Sequence, residues 1–217
     1  MTDSTLPTTP LRTLIEQGPE SARVTPLGSL DAARRMFIAD ARLDMQRLAT
    51  DIGVSRVTLY RWVGNHDALL AEVLWSLAQA AWTEAATARR SRGAAGVAEH
   101  AYHFIRVVRD FEPFQRFIVR DTDYALKMLT SRYSQVQGRT VEAVRQLLEE
   151  EIAAGAIELP HAVADIAYVI IRICESFLYN QVITGGDPNL RRAGETIHAL
   201  LLAPWQRVVG PEAETDY

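Results

Sequence analysis

Within eleven residues, the run IGVSRVTLYRW from Ile52 to Trp62 sets two arginines, a serine, a threonine and a tyrosine between apolar side chains. Those polar groups suit recognition of a nucleic acid by hydrogen bonds and charge. An arginine fork matches guanine O6 and N7, and Arg56 offers one. Val57 and Thr58 suit thymine methyl groups or base edges. Ser55, Tyr60 and Arg61 suit phosphate oxygens, which fix register without reading sequence. The interleaved Val54, Leu59 and Trp62 need a core on the opposite side.

That division of faces requires a short helix held at a set angle by a second one. Counting from Met45 as position one, Leu48 is four, Ala49 five, Ile52 eight, Gly53 nine, Val54 ten, Leu59 fifteen and Trp62 eighteen. Two helices crossing near 90–120° approach most closely at position five, where a small side chain is needed. Position nine turns the chain at positive φ, which suits glycine. The other five positions build the shared core. All seven residues agree with a helix-turn-helix, whose second helix lies in a DNA major groove. Ser29, Asp44 and Ser55 are placed to cap the first three helices, and Asn65 or Asp67 to start a long fourth. Leu30, Ala33, Phe37 and Ile38 form the expected inner face of the first helix.

The run SLDAARRMF…DMQRLATDIGVSRVTLYRWVGNHDALLAEV resembles the DNA-binding head of TetR/AcrR-family regulators over roughly residues 29–75, including the aromatic after TL and the ALL that opens the fourth helix. Within that family, the run DMQRLATDIGVSRVTLYRWVGNHDALLAEVLWSL is similar to the branch of quorum-signal degradation regulators, QsdR. The resemblance implies a homodimer, a palindromic operator, and release of DNA when a small effector enters a C-terminal helical domain. It implies base or phosphate contacts at Gln46, Arg56, Val57, Thr58, Tyr60 and Arg61. Within the QsdR branch it implies an acyl lactone as effector class. The match departs in two places. The connection ADARLD is short and lacks a glycine, and the position that often carries a phosphate-binding lysine is His66. Operator affinity is therefore expected to rise when His66 takes a proton.

Beyond the head, the pattern stays helical, with helices expected near 97–110, 113–120, 123–130, 134–154, 161–184 and 189–202. RRSRGAAG reads as a connection, and Gly155 and Pro160 as a helix stop and start. No run alternates with period two for long enough to make a strand, so the chain reads all-α. The expected organisation is an N-terminal arm (1–26), a helix-turn-helix DNA-binding domain (27–75) and a ligand-binding and dimerisation domain (76–210). The arm fits a disordered tail or a minor-groove contact through Arg12 and Arg23.

In the body, AYHFIRVVRDFEPFQRFIVRDTDY concentrates aromatic residues, the composition of an apolar ligand cavity or of an ordinary core. Tyr102, Phe104, Phe114, Phe117, Tyr124 and Arg172 are the candidate effector contacts. Arg172 and Glu175, three apart on a helix, are expected to pair, either at the cavity or at an interface. The segment 161–184 is apolar nearly all round, and 190–202 carries a stripe of Leu190, Ala193, Ile197 and Leu201, with Gly194 permitting close approach. Two such helices per subunit suit a four-helix dimer interface, with Ile173, Phe177, Ile197 and Leu201 at its centre.

Composition narrows the function classes. The net charge is −4, yet residues 29–65 hold six arginines against four aspartates, so a basic head at +2 sits on a body at −6. A single cysteine, Cys174, excludes an intrachain disulfide or a cysteine zinc site. The N-terminus lacks signal-peptide character, and charges interrupt the most apolar helix, so the chain reads as soluble and cytoplasmic, without a membrane partner. No phosphate loop, HExxH or nucleophile elbow is present, so no enzyme activity and no cofactor are expected. His100 and His103 lack a third ligand, so no metal is expected. The competing reading is an all-α binding or interaction protein without DNA binding.

Overall fold

A computed structural model describes Thr9 and residues 25–159, 161–186 and 189–203. Arg12, Arg23 and Pro160 lie outside the described residues. Among the described residues there are eleven helices and no strand: α1 (Pro26–Asp40), α2 (Met45–Asp51), α3 (Arg56–Val63), α4 (His66–Ala88), α5 (Gly93–Asp110), α6 (Glu112–Arg120), α7 (Thr122–Thr130), α8 (Val136–Ala153), α9 (Val163–Leu178), α10 (Asn180–Thr184) and α11 (Leu190–Leu202).

Caps explain most of the head boundaries. Asp44 Oδ1 accepts from the Gln46 and Arg47 amides at 2.9 and 3.0 Å. Ser55 Oγ accepts from Thr58 N at 3.1 Å, and Asn65 Oδ1 from Ala68 N at 2.8 Å. Asn65 therefore caps α4, which leaves Asp67 for another use. Ser29 is not a cap. Proline at the first helical position moves the start of α1 to Pro26, where a missing N–H costs nothing. Thr25 caps instead, accepting from Gly28 N at 3.1 Å, and buried Ser29 donates to the Pro26 carbonyl at 2.6 Å. The short connection after α1 turns at Ala41, buried at φ 50° where a glycine would sit without strain.

The helix-turn-helix core is closed. Leu48 and Leu59 are fully buried, Ala49 is buried at the crossing, and Gly53 turns at φ 72°. The same apolar cluster extends past the head to Phe117 on α6 and Met128 on α7. Phe117 meets Phe37 of α1 edge-on, with ring centroids 5.5 Å apart. The head is thus seated on α6 and α7, and α4 runs unbroken from one region into the other.

A second cluster joins α5, α8, α9 and α11 to the last turns of α4. Its connection from α4 to α5 is tied by Glu151 of α8, wholly buried, which accepts from Arg89 Nη1 at 2.9 Å and Gly93 N at 2.7 Å and pairs with Arg92. Glu99 accepts from the Arg90 and Ser91 amides at 2.8 and 2.9 Å. These bonds let α5 begin at Gly93 rather than near residue 97. The 161–184 segment divides at Tyr179, whose ring turns into the head-side core.

Candidate nucleic-acid interface and effector cavity

α3 presents the predicted contacts on its open side. Gln46, Ser55, Arg56 and Arg61 are exposed, and Val57 is 79 % exposed. Val57 thus stands open on a helix whose Leu59 and Val63 are buried. Thr58, Tyr60 and His66 are half-buried. Arg56 is already oriented: its Nη1 donates to Gln46 Oε1 at 3.2 Å, and its guanidinium lies 5.8 Å from the Tyr60 ring centroid. Gln46, Arg56 and Tyr60 therefore form one group across α2 and α3. Sequence spacing does not show this pairing, because ten residues and a turn separate Gln46 from Arg56.

His66 faces the protein with one nitrogen. Its Nδ1 lies 3.0 Å from Asp67 Oδ1. Asp67 also accepts the Tyr124 hydroxyl at 2.6 Å and the Tyr133 hydroxyl at 2.8 Å. Burial raises the Asp67 pKa, but these bonds outweigh it and hold the carboxyl below the usual aspartate range.

Behind the head lies a cavity of about 600 Å³. Leu74, Leu77, Ala78 and Ala81 of α4 form one wall, and Ile171, Cys174, Glu175 and Leu178 of α9 another. Of the candidate effector contacts, Phe104 and Phe114 line it. Tyr102, Phe117, Tyr124 and Arg172 do not line it. Tyr102 packs at Gly194 of α11, where an added Cβ would meet the Tyr102 Cβ at 3.3 Å. Phe117 belongs to the head–body seam, and Tyr124 is held at Asp67. Arg172 is exposed and reaches the cavity only through Glu175, which accepts from its Nη1 at 2.6 Å. Aromatic density in the sequence marked the right neighbourhood, but the direction each ring takes is set by packing between helices.

Two cavity residues come from the head itself: Arg34 and Ile38 of α1. Arg116 of α6 reinforces that contact, donating through Nη2 to the Ile38 and Ala39 carbonyls at 3.3 and 3.1 Å. The sequence held no sign of this, since Ile38 looked like ordinary inner-face packing.

The predicted dimer residues divide. Ile197 and Leu201 are buried within the protomer, packed with Leu190 and Ala193 on α5 and α9, so that stripe is not available to a partner. Gly194 serves the α5–α11 approach instead of a subunit contact. Ile173 and Phe177 are half-buried at the edge of an open face. Tyr168 (50 %) and Val169 (38 %) of α9 are exposed there, while Leu202 (61 %) is exposed at the end of α11 beside residues 156–159. The α11 period was read correctly, but its apolar side closes its own core.

His100 is 2 % exposed and stacks on Trp82 with centroids 4.0 Å apart. Burial, aided by the Arg89 charge, pushes its pKa down to about 4. Among the described residues no three His, Cys, Asp or Glu side chains gather as a metal site, and no helix is long and apolar enough to cross a membrane.

This architecture has close counterparts. The family description "Tetracyclin repressor-like, C-terminal domain" matches residues 92–202. The structure of the transcriptional repressor QsdR of the TetR family from R. erythropolis is similar over 82 % of this chain and 93 % of that one, with 26 % identity and a TM-score of 0.75. The TetR family repressor AlkX from Dietzia sp. strain DQ12-45-1b shares the fold over 85 % of this chain and 97 % of that one, at 24 % identity and a TM-score of 0.61. No curated protein matches the sequence. With a helix-turn-helix head on a helical body that matches the repressor-like C-terminal domain, the chain belongs to the TetR family of transcriptional regulators, which are DNA-binding proteins and not enzymes.

Proposed function

We propose that this protein is an effector-released repressor that binds a palindromic operator as a homodimer in the cytoplasm. The observation that carries the reading is the sharing of walls: Arg34 and Ile38 of the DNA-binding head line the same apolar cavity as Phe104 and Phe114 of the body. An occupant of that cavity touches the head directly, so it can favour one head position over another. Ligand and operator oppose each other only through such a difference in affinity between conformers. A hundredfold loss of operator affinity corresponds to about 2.7 kcal/mol of coupling.

On the DNA side, Arg56, Val57 and Thr58 face base edges, while Ser55, Tyr60, Arg61 and His66 meet phosphate and Gln46 holds Arg56. Two heads related by a two-fold axis read half-sites about one helical turn, or a multiple of it, apart. The α9 face bearing Tyr168 and Val169 supplies the pairing surface, flanked by Ile173 and Phe177. The effector is small and largely apolar, in keeping with the cavity wall, and the likeness to QsdR favours an acyl lactone.

A gel shift with the protein's own upstream DNA, repeated across salt concentrations, tests the reading. A specific complex that weakens steeply with salt is expected. Binding of small apolar molecules without any shift would leave a ligand-binding protein in its place.

A further inference from the structure

The cavity wall is mostly apolar: its charged residues from α1, α4 and α5 (Arg34, Glu84, Arg106 and Asp110) are half-buried or exposed, while its buried polar side chains, Thr140, Glu175 and Tyr179, lie where α8 and α9 line it. Glu175 sits on the wall at 8 % exposure. Its Oε1 and Oε2 accept from Gln137 Nε2 at 2.9 and 3.2 Å, and Oε2 also accepts from Arg172 Nη1 at 2.6 Å. The Arg172 guanidinium at 2.6 Å favours the carboxylate form, which has lone pairs to offer and no proton. A carboxylate has about four acceptor sites, so these three bonds do not saturate it. Burial holds its pKa above the usual glutamate range, and Gln137 and Arg172 limit the rise.

The neighbouring donors are committed elsewhere. The Gln137 amide is directed at Glu175, and the Thr140 hydroxyl donates to the Val136 carbonyl at 2.9 Å. Burial pushes the Cys174 thiol up to about 12, so it stays a weak S–H donor. Tyr179, one turn beyond Glu175 and also on the wall, keeps its phenolic proton because burial and the Glu175 charge raise its pKa. The result is a strong acceptor beside a phenol within an apolar chamber.

We propose that this cavity selects apolar molecules bearing a hydroxyl group, with Glu175 as the acceptor that reads it and Gln137 and Arg172 as the residues that position Glu175. This rests on the cavity being the effector site. A hydroxyl can donate to Glu175 and accept from Tyr179. An ether, ester or lactone carbonyl has nothing to give Glu175, and a carboxylate placed against it meets a like charge. Among acyl lactones, those with a hydroxyl on the chain are therefore favoured over the plain ones.

The test is calorimetric titration of the full-length protein with 1-decanol, decyl methyl ether, γ-decalactone and decanoate, followed by a gel shift of its upstream DNA with each probe. Decanol is expected to bind about tenfold or more tightly than the other three, the discrimination usual for a hydrogen bond to a charged group. Glu175→Gln should reduce that preference, and Tyr179→Phe should reduce it in part while keeping the carboxylate. The wild-type ranking needs no variant to fold. Equal or tighter binding of the ether or the lactone overturns the proposal, as does an undiminished preference in Glu175→Gln. If no probe binds while the DNA is still shifted, the hydroxyl assignment falls and the repressor reading stands. If decanol is preferred but no DNA is shifted, the assignment stands and the repressor reading falls.

Discussion

The hydroxyl of Tyr124 on α7 donates to Asp67 Oδ1 in the first turn of α4 at 2.6 Å, joining residues 57 apart in sequence. Tyr133 takes the second oxygen at 2.8 Å. The carboxylate thus anchors the start of α4 to the body just beyond the head. Removing both hydroxyls with Tyr124→Phe and Tyr133→Phe is expected to cost about 1.5–3 kcal/mol per bond to this charged group. Operator binding should survive, because neither tyrosine belongs to α2 or α3. Effector-driven release should weaken, because α4 would move without carrying α7. Chemical denaturation and effector titration of a preformed DNA complex measure the two effects separately.

Arg56 is held by Gln46 before any DNA arrives. Arg56→Ala should cost about 1–3 kcal/mol of operator binding and relax base preference at one position per half-site. Gln46→Ala should have a smaller effect with the same loss of preference, since the guanidinium remains but is no longer oriented. Arg61→Ala should weaken binding to all sequences alike and reduce the salt slope by about one. A binding-site selection with each variant distinguishes these outcomes.

The exposed face of α9 defines the next expectation. Val169→Glu or Tyr168→Glu, placed on open surface, should leave the fold intact and give a monomer, with operator affinity lost because two half-sites are no longer held together. Ile197→Glu, in the closed core, should instead unfold the protein. Light scattering and circular dichroism separate dissociation from unfolding.

His100 makes stability depend on pH. Its pKa is about 4 in the fold against 6.5 for a free imidazole. Between those values the unfolded chain binds a proton that the native one does not, so stability falls as the pH drops through that window. The loss amounts to about 3 kcal/mol at the acid end. His100→Phe keeps a ring against Trp82 and removes the titration. Melting temperatures at pH 7 and pH 5 should converge in the variant relative to wild type.

Local chemistry made the head legible. Asp44, Ser55 and Asn65 cap the helices because short polar side chains reach the free amides of a first turn, and Gly53 turns the chain because it lacks a Cβ. Those interactions span three or four residues, so the sequence by itself determined the helix-turn-helix and the all-helical class, whereas Ile38, expected on the inner face of α1, is 39 % exposed. Tertiary structure alone decided which partner each face meets. Ile197 and Leu201 carried the correct period, but period does not say whether the cover is α5 or a second subunit. Tyr124 and Phe117 are candidate effector contacts by sequence, yet contacts across dozens of residues send one to Asp67, the other to Phe37, and open the cavity between Ile38 and Glu175. Spacing along a chain encodes neighbours one turn apart, and the packing of helices distant in sequence supplies everything else.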